Sequence, residues 1–227
     1  MAGQGLKYNV DIVMCIDTTG SMGGLLDTVK LNALKFYPDL KSACEAKDKN
    51  IDQLRIKVID FKDYNADGAD GMRETEFFNI PEQEDKFKAY VNALTPNGGG
   101  DEPENGLEAI SLAMNSDWTT GGDKRRHIII IWTDASAHPL ESSLTKNSFY
   151  PAGMPADFNE FTDWWEDEQG GKMNKSAKRL LIFAPDAAPW TEMGLSFDKA
   201  IHHTAKAGEG LTDVDYQTIL NSIVQTI

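Results

Sequence analysis

The sequence predicts an α/β fold with a doubly wound, mostly parallel central sheet, one antiparallel edge strand and helices on both faces. Two observations support this prediction. First, short apolar runs alternate along the chain with segments in which apolar residues recur every three or four positions. Second, two of these runs are apolar at almost every position, which is typical of central strands covered by helices on both sides.

The strands are predicted from the apolar runs. Four of them are expected in the parallel part of the sheet, at residues 10–16, 55–61, 128–132 and 180–184. The segment 74–80, ETEFFNI, alternates partly between polar and apolar residues, so it is predicted as an antiparallel edge strand beside 55–61. A last short strand is predicted near residues 200–204.

The helices are predicted from apolar stripes of helical period. The first stripe runs from Met22 to Ala43, and Pro38 is expected to kink or interrupt that helix. Two further stripes cover residues 87–94 and 107–114, and a final helix is expected within residues 213–227. The segment 135–157 is predicted as a long irregular loop and as a candidate partner-facing surface.

Length and charge limit the possible functions. A chain of 227 residues suits one sizeable domain, so residues 1–227 are predicted to form a single domain. The formal net charge of −14 argues against nucleic acid as a partner. No apolar stretch approaches the ~18 residues of a spanning helix, and the N-terminus lacks the layout of a secretory signal. We therefore expect no membrane insertion and a cytoplasmic location.

Three polar clusters stand where a doubly wound sheet binds its ligands. Residues 17–21, DTTGS, follow the first predicted strand, and residues 133–138, TDASAH, follow the strand at 128–132. Residues 98–106, GGGDEPENG, precede the third predicted helix. Because ligands of such sheets collect beyond the carboxyl ends of the strands, we expect the three clusters to converge there.

The clusters carry hard oxygen donors. They are the carboxylates of Asp17, Asp101, Glu104 and Asp134 and the hydroxyls of Thr19 and Ser21. Such donors suit Mg²⁺, Mn²⁺ or Ca²⁺ better than zinc or copper. Carboxylates massed at one buried rim would repel one another, and a divalent cation neutralises them. The sequence therefore predicts a divalent cation site, with Mg²⁺ as the first choice.

The three clusters resemble the loops of von Willebrand factor A-type (VWA) domains. The segment DTTGSM resembles the D-x-S/T-x-S motif of their metal-ion-dependent adhesion site. The segment GGGDEPENGLEAI is similar to the glycine-rich D-x-P-E segment of integrin β I-like domains and of many microbial VWA proteins. The segment IIIIWTDASAH resembles the strand and T-D-A-x-x-H loop of the same domains.

The resemblance implies a set of site residues. The metal ligands would be Asp17, Thr19, Ser21, Glu104 and Asp134, directly or through water. Around them we expect Asp101, Gly20 at the turn, and His138 through an orienting hydrogen bond. Glycines at 23, 24 and 99 replace residues that hold two further cations in integrin β chains, so we predict neither of those sites.

The resemblance implies a protein-binding module for adhesion or assembly rather than an enzyme. An open position on the cation would accept an Asp or Glu carboxylate from a partner protein. Two alternatives remain. One is a metal-dependent phosphohydrolase of haloacid-dehalogenase type, although Thr19 stands where its second aspartate is expected. The other is a scaffold whose metal site is vestigial.

Overall fold

The computed structural model of the protein describes residues 7–100, 102–167, 171–205 and 216–226. Among these residues, seven strands form one sheet with helices packed on both faces. The strands are β1 Lys7–Asp17, β2 Asn50–Phe61, β3 Met72–Glu74, β4 Phe78–Ile80, β5 Lys124–Trp132, β6 Lys178–Pro185 and β7 Ala200–Ala205. The helices are α1 Gly23–Glu45, α2 Tyr64–Asp67, α3 Glu84–Ala93, α4 Gly106–Met114, α5 Phe158–Glu166, α6 Trp190–Ser196 and α7 Tyr216–Thr226.

The sheet is mostly parallel, which confirms the predicted fold class. Its strand order is β3-β2-β1-β5-β6-β7, and β4 also pairs with β2. Strands β1, β2, β5, β6 and β7 pair in parallel, whereas β3 and β4 both run antiparallel to β2. The carboxyl ends of β1, β2, β5 and β6 therefore lie together at one end of the sheet.

The antiparallel edge of the sheet is divided into two short strands. The sequence predicts one strand over residues 74–80, but β3 and β4 pair with separate parts of β2. Between them, the backbone N–H of Thr75 donates to Val58 O at 2.9 Å, and Thr75 Oγ1 accepts the Val58 N–H at 3.0 Å. Because the Thr75 side chain takes the place of a main-chain acceptor, the main-chain hydrogen bonding to β2 is interrupted at Thr75.

The apolar core lies in two layers, one on each face of the sheet. Successive residues of a strand point to opposite faces, so β1 contributes to both layers. Ile12, Met14 and Ile16 pack with residues of α1, α3 and α7, whereas Val13 and Cys15 pack with residues of α4, α5 and α6. This double burial explains why the central strands are apolar at nearly every position.

The helices depart from the sequence prediction at several points. Helix α1 runs without interruption through Pro38. Helices α5 and α6 were not predicted. The described part of the last helix begins at Tyr216, and the first residues of the predicted helix, 213–215, lie outside the described residues. Within the described ranges, none of the helices is both long and apolar enough to cross a bilayer.

A buried ion pair ties the first two strands together. Asp11 on β1 is fully buried, and its carboxylate accepts hydrogen bonds from Arg55 Nε at 2.8 Å and from Arg55 Nη2 at 2.7 Å. The backbone N–H of Thr119 donates to the same carboxylate at 2.7 Å. Strand β2 and the segment after α4 are therefore both fixed to β1 by one side chain.

Removing this carboxylate is expected to destabilise the fold. The Asp11→Ala variant removes both charge-assisted hydrogen bonds of the mostly buried Arg55 guanidinium, which keeps its bond to Asp117 O, so the free energy of unfolding should fall by about 3 kcal/mol. Urea unfolding followed by circular dichroism measures the change. The control Lys88→Ala breaks only the half-exposed pair with Glu84 on α3, and it should cost about 0.5 kcal/mol or less. Equal losses in the two variants would contradict this view of Asp11.

Candidate functional site

The first loop starts at Asp17, the last residue of β1. The Asp17 side chain is fully buried, and each of its oxygens is hydrogen-bonded. Its Oδ1 atom accepts from the Thr19 backbone N–H at 2.9 Å and from Thr19 Oγ1 at 2.6 Å. Its Oδ2 atom accepts from Thr133 Oγ1 at 2.7 Å. These bonds fix the orientation of a carboxylate that water does not reach.

A chain of side-chain contacts connects the first loop to the third. Thr19 Oγ1 lies 3.2 Å from Ser21 Oγ, and Ser21 Oγ donates to Asp134 Oδ1 at 3.0 Å. The alternate residues 17, 19 and 21 thus gather at one point, as their spacing predicts. Neither Thr19 nor Met22, the residues in the N-cap positions of this helix start, makes a side-chain capping bond. The hydroxyls of Thr19 and Ser21 therefore bond to the carboxylates of the site rather than to the start of the helix.

The second loop approaches the first through its glycines. Gly98, Gly99 and Gly100 have φ angles of +67°, +93° and +59°. A Cβ atom on Gly99 would lie 2.5 Å from Thr19 Cγ2 and 2.8 Å from Glu104 Oε1. Since side chains rarely occur at such angles and none fits in this space, only glycine lets the backbone pass between Thr19 and Glu104.

Glu104 joins the second loop to the third. Its backbone N–H donates to Ser136 O at 3.0 Å, and its backbone oxygen accepts from the His138 N–H at 2.9 Å. These bonds form a short parallel bridge between Glu104 and Ala137. The Glu104 side chain is only 4% exposed, and it points among the carboxylates of the other loops.

Burial and, after it, neighbouring charges raise the pKa values of the carboxylates in the site. Burial, followed by the charges of Asp17, Asp63, Asp67 and Asp134, raises the pKa of Glu104 to about 10. Burial also raises the pKa of Asp17 to about 6, in spite of the hydroxyl hydrogen bonds that it accepts. The pKa of Asp134 is raised as well, again mainly by burial. In the absence of a cation, these pKa values favour the protonated form of the carboxyl groups.

Two buried carboxylate oxygens in the site have no hydrogen-bond partner. They are Glu104 Oε2 and Asp134 Oδ2. A buried polar atom without a partner is costly, and coordination to a cation would satisfy an oxygen of this kind. Carboxylate and hydroxyl oxygens are the kinds of donor that a hard divalent cation prefers.

The carboxylates do not complete such a site by themselves. Across the described ranges, no group of three or more His, Cys, Asp or Glu side chains is placed to hold a metal ion. A cation at this end of the sheet would therefore bind some of these carboxylates through water, together with the hydroxyl oxygens of Thr19 and Ser21 that lie between Asp17 and Asp134.

The residues expected around the ligands have different positions. Asp101 lies outside the described residues. Gly20 forms the turn, and its N–H donates to Gly98 O at 3.2 Å. His138 is buried with Nε2 3.3 Å from Asp63 Oδ1, an ion-pair distance without hydrogen-bond geometry, and Asp63 was not among the predicted site residues.

Sequence reasoning missed three residues that shape the site. Thr133 holds Asp17, although the pairing joins residues 116 positions apart and no local pattern indicates it. Asp63 and Asp67 follow β2, and Asp67 Oδ2 accepts the Gly99 N–H at 2.8 Å. The segment KDYNAD directly follows β2 and therefore lies at the same end of the sheet as the other clusters. The expectation that ligands bind beyond the carboxyl ends of the strands could have indicated this segment too.

The similarity to known proteins covers most of the chain but a small share of each relative. The alpha-protein kinase vwkA of Dictyostelium discoideum is 26% identical over 146 residues, which are 64% of this chain and 21% of the kinase. The crystal structure of the pilus adhesin SpaC from Lactobacillus rhamnosus GG superposes with a TM-score of 0.58 at 10% identity, over 96% of this chain and 30% of the adhesin. An open conformation of the adhesin gives a TM-score of 0.53 at 12% identity. At these identities the adhesin shows the fold alone.

The family is shown by the sequence itself. Residues 11–147 match the family model of the von Willebrand factor A domain. The matched segment covers more than half of the chain, and it contains most of β1, all of β2, α4 and β5, and the three loops described above. The chain therefore belongs to the von Willebrand factor A domain family.

Proposed function

We propose that this chain is a protein-binding module that holds a divalent cation, Mg²⁺ in the first place, and accepts an Asp or Glu carboxylate from a partner protein. The ligands of the cation are Asp17, Thr19, Ser21, Glu104 and Asp134, directly or through water. The observation that carries this proposal is the continuous contact from Asp17 through Thr19 and Ser21 to Asp134, next to two buried carboxylate oxygens without partners.

Different residues of the chain orient the ligands and shape the opening of the site. Thr19 and Thr133 orient Asp17, and the Gly99 backbone allows Glu104 to approach the first loop. Asp17 is fully buried whereas Ser21 is exposed, so the site opens towards solvent beside Ser21. When bound, the cation would supply positive charge for the carboxylate of the partner, in a region where the protein alone is negative.

Binding is better supported than catalysis. A phosphohydrolase of haloacid-dehalogenase type needs a second carboxylate two residues after the first, and Thr19 occupies that position with its hydroxyl bonded to Asp17. A threonine hydroxyl is a poor acid or base at neutral pH. Membership of the VWA family and a fold shared with a pilus adhesin support a role in protein adhesion or assembly.

Metal should stabilise the folded chain through Asp17. After treatment with EDTA, addition of Mg²⁺ or Mn²⁺ at about 100 times its dissociation constant should raise the free energy of unfolding by about 2.7 kcal/mol. The Asp17→Ala variant should show no such gain, because it lacks a buried ligand. The control Asp27→Ala removes an exposed carboxylate on α1 and should keep the full gain. Equal gains in wild type and Asp17→Ala would argue against the site.

The metal-free protein should lose stability as the pH rises, because of Glu104. The folded protein keeps the Glu104 proton up to a pKa of about 10, whereas the unfolded chain releases it near pH 4.5. Between these pH values the native state binds more protons than the unfolded chain does. The contribution of Glu104 to the free energy of unfolding is therefore fully present below pH 4.5 and is lost as the pH rises towards 10.

The Glu104→Gln variant should not have this part of the pH dependence. In EDTA at pH 8 it should be more stable than wild type by about 0.5 to 2 kcal/mol, and the difference should vanish near pH 4.5. The free energy of unfolding of the same variant should not rise when Mg²⁺ is added. Urea unfolding at several pH values provides the measurement. A variant less stable than wild type at pH 8 in EDTA would contradict the repulsion inferred for this site.

A selection of binding peptides tests the function itself. A random peptide library displayed on phage is panned against the full chain, once in Mg²⁺ and once in EDTA. The peptides enriched in Mg²⁺ should share an Asp or Glu, and they should lose binding in EDTA, on the Asp17→Ala variant, or when that residue is changed to Asn or Gln. Peptides that bind equally well in EDTA, or that share no acidic residue, would count against the proposal.

A further inference from the structure

Phe149 is an exposed aromatic residue in the long segment between β5 and α5. It is 56% exposed, which is unusual among the large apolar residues of the described ranges. Single exposed apolar side chains are common on protein surfaces, so exposure alone assigns no role. The rigid attachment of Phe149 and its position beside the candidate cation site are what distinguish it.

The residues next to Phe149 are anchored to the body of the domain. Asn147 Nδ2 donates to Tyr64 O at 2.6 Å, and Asn147 Oδ1 accepts the Phe149 N–H at 2.9 Å. On the other side, the Tyr150 hydroxyl donates to the buried Glu108 at 2.8 Å, and the Tyr150 ring packs on Tyr64 with centroids 5.5 Å apart. Because the backbone is already fixed, binding through Phe149 costs little ordering of the chain.

A short series of contacts joins Phe149 to the carboxylate cluster. A Cβ atom on Gly68 would lie 3.5 Å from Phe149 Cδ2, so the ring covers Gly68 at van der Waals distance. Gly68 follows Asp67, whose Oδ2 accepts the Gly99 N–H at 2.8 Å. Gly99 in turn lies against Glu104. Phe149 therefore lies beside the segment whose Asp67 contacts the second loop of the candidate cation site.

The combination of a cation site and an adjacent rigid aromatic ring fits one kind of ligand. We propose that Phe149 determines specificity by packing on an apolar side chain of the partner, close in sequence to the acidic residue that the cation site accepts. The partner is thus a polypeptide segment with an acidic and an apolar residue a few positions apart. Aromatic side chains bury large apolar areas and contribute much of the energy of protein interfaces. This inference rests on the proposed function, since it names a second feature of the same partner.

The test uses the peptides that the full chain selects in Mg²⁺. The enriched sequences should pair an Asp or Glu with a Leu, Ile, Met, Phe or Trp at a recurring distance. One such peptide and its copy with Ala at the apolar position are then titrated, by fluorescence polarisation in Mg²⁺, against three proteins. These are the wild type, Phe149→Ser, and the control Leu31→Ser, whose leucine on α1 is 57% exposed.

A double-mutant cycle separates a direct contact from a general loss of binding. The Phe149→Ser variant should bind the selected peptide about tenfold more weakly than wild type does, and the two proteins should bind the Ala-containing copy equally. Leu31→Ser should bind both peptides as the wild type does. The stabilisation by Mg²⁺ should be the same in all three proteins, which shows that the cation site is intact.

The outcomes distinguish this inference from the function on which it rests. If Phe149→Ser binds the selected peptide as tightly as wild type, or weakens both peptides by the same factor, the contact is ruled out while binding through Mg²⁺ stands. If the selected peptides share an acidic residue but no apolar one, the inference is equally overturned. If binding needs neither Mg²⁺ nor Asp17, the proposed function fails and the inference fails with it.

Discussion

The burial of neighbouring carboxylates, and the repulsion between them, at the carboxyl end of the sheet is the constraint on which the rest of this structure depends. Asp17, Glu104 and Asp134 come from separate parts of the chain, and the parallel strands bring them to the same place. In a solvent-exposed position their charges would be screened by water and salt. Here they are buried, and the pKa of Glu104 rises to about 10. An arrangement that costs stability in this way is typical of functional sites.

The loops withstand this repulsion because each one is fastened to another. Glu104 bonds through its backbone to Ser136 and His138, and Gly20 bonds to Gly98. Thr133 bonds to Asp17 across the two central strands. The main chain therefore holds the carboxylates at fixed positions before any ligand is present. Such preorganisation favours tight binding, since little ordering remains to be done when a cation or a partner arrives.

The sequence was sufficient for the fold because parallel strands buried on both faces leave an unmistakable pattern of apolar runs. It failed where a single contact decides the local structure, as Thr75 does in dividing the antiparallel edge. Helix α5 could have been found. Asp157 and Glu160 have the spacing of a capping box, and both side chains accept backbone hydrogen bonds at its start, from Glu160 N–H and Ala156 N–H. Phe161, Trp164 and Trp165 then follow at helical spacing.

For the site, the motifs indicated which loops converge, but they did not indicate which side chains contact one another. The contact between Ser21 and Asp134 follows from the meeting of two motifs, and the structure places these residues 3.0 Å apart. The role of Thr133 depends on a partner 116 positions away, and the raised pKa values depend on burial, so no local pattern reveals them. The metal, the ligand set and the single-domain organisation remain predictions.

Diffraction from crystals grown in Mn²⁺, recorded with anomalous signal, tests the central claim most directly. The proposal predicts one strong anomalous peak within coordination distance of oxygens from Asp17, Ser21 and at least one of Glu104 and Asp134, with a position on the ion open to solvent. Crystals of the Asp17→Ala variant under the same conditions should lack that peak. Density for water alone at this place in the wild type, with Mn²⁺ in excess, would contradict the claim that these carboxylates are gathered to hold a cation.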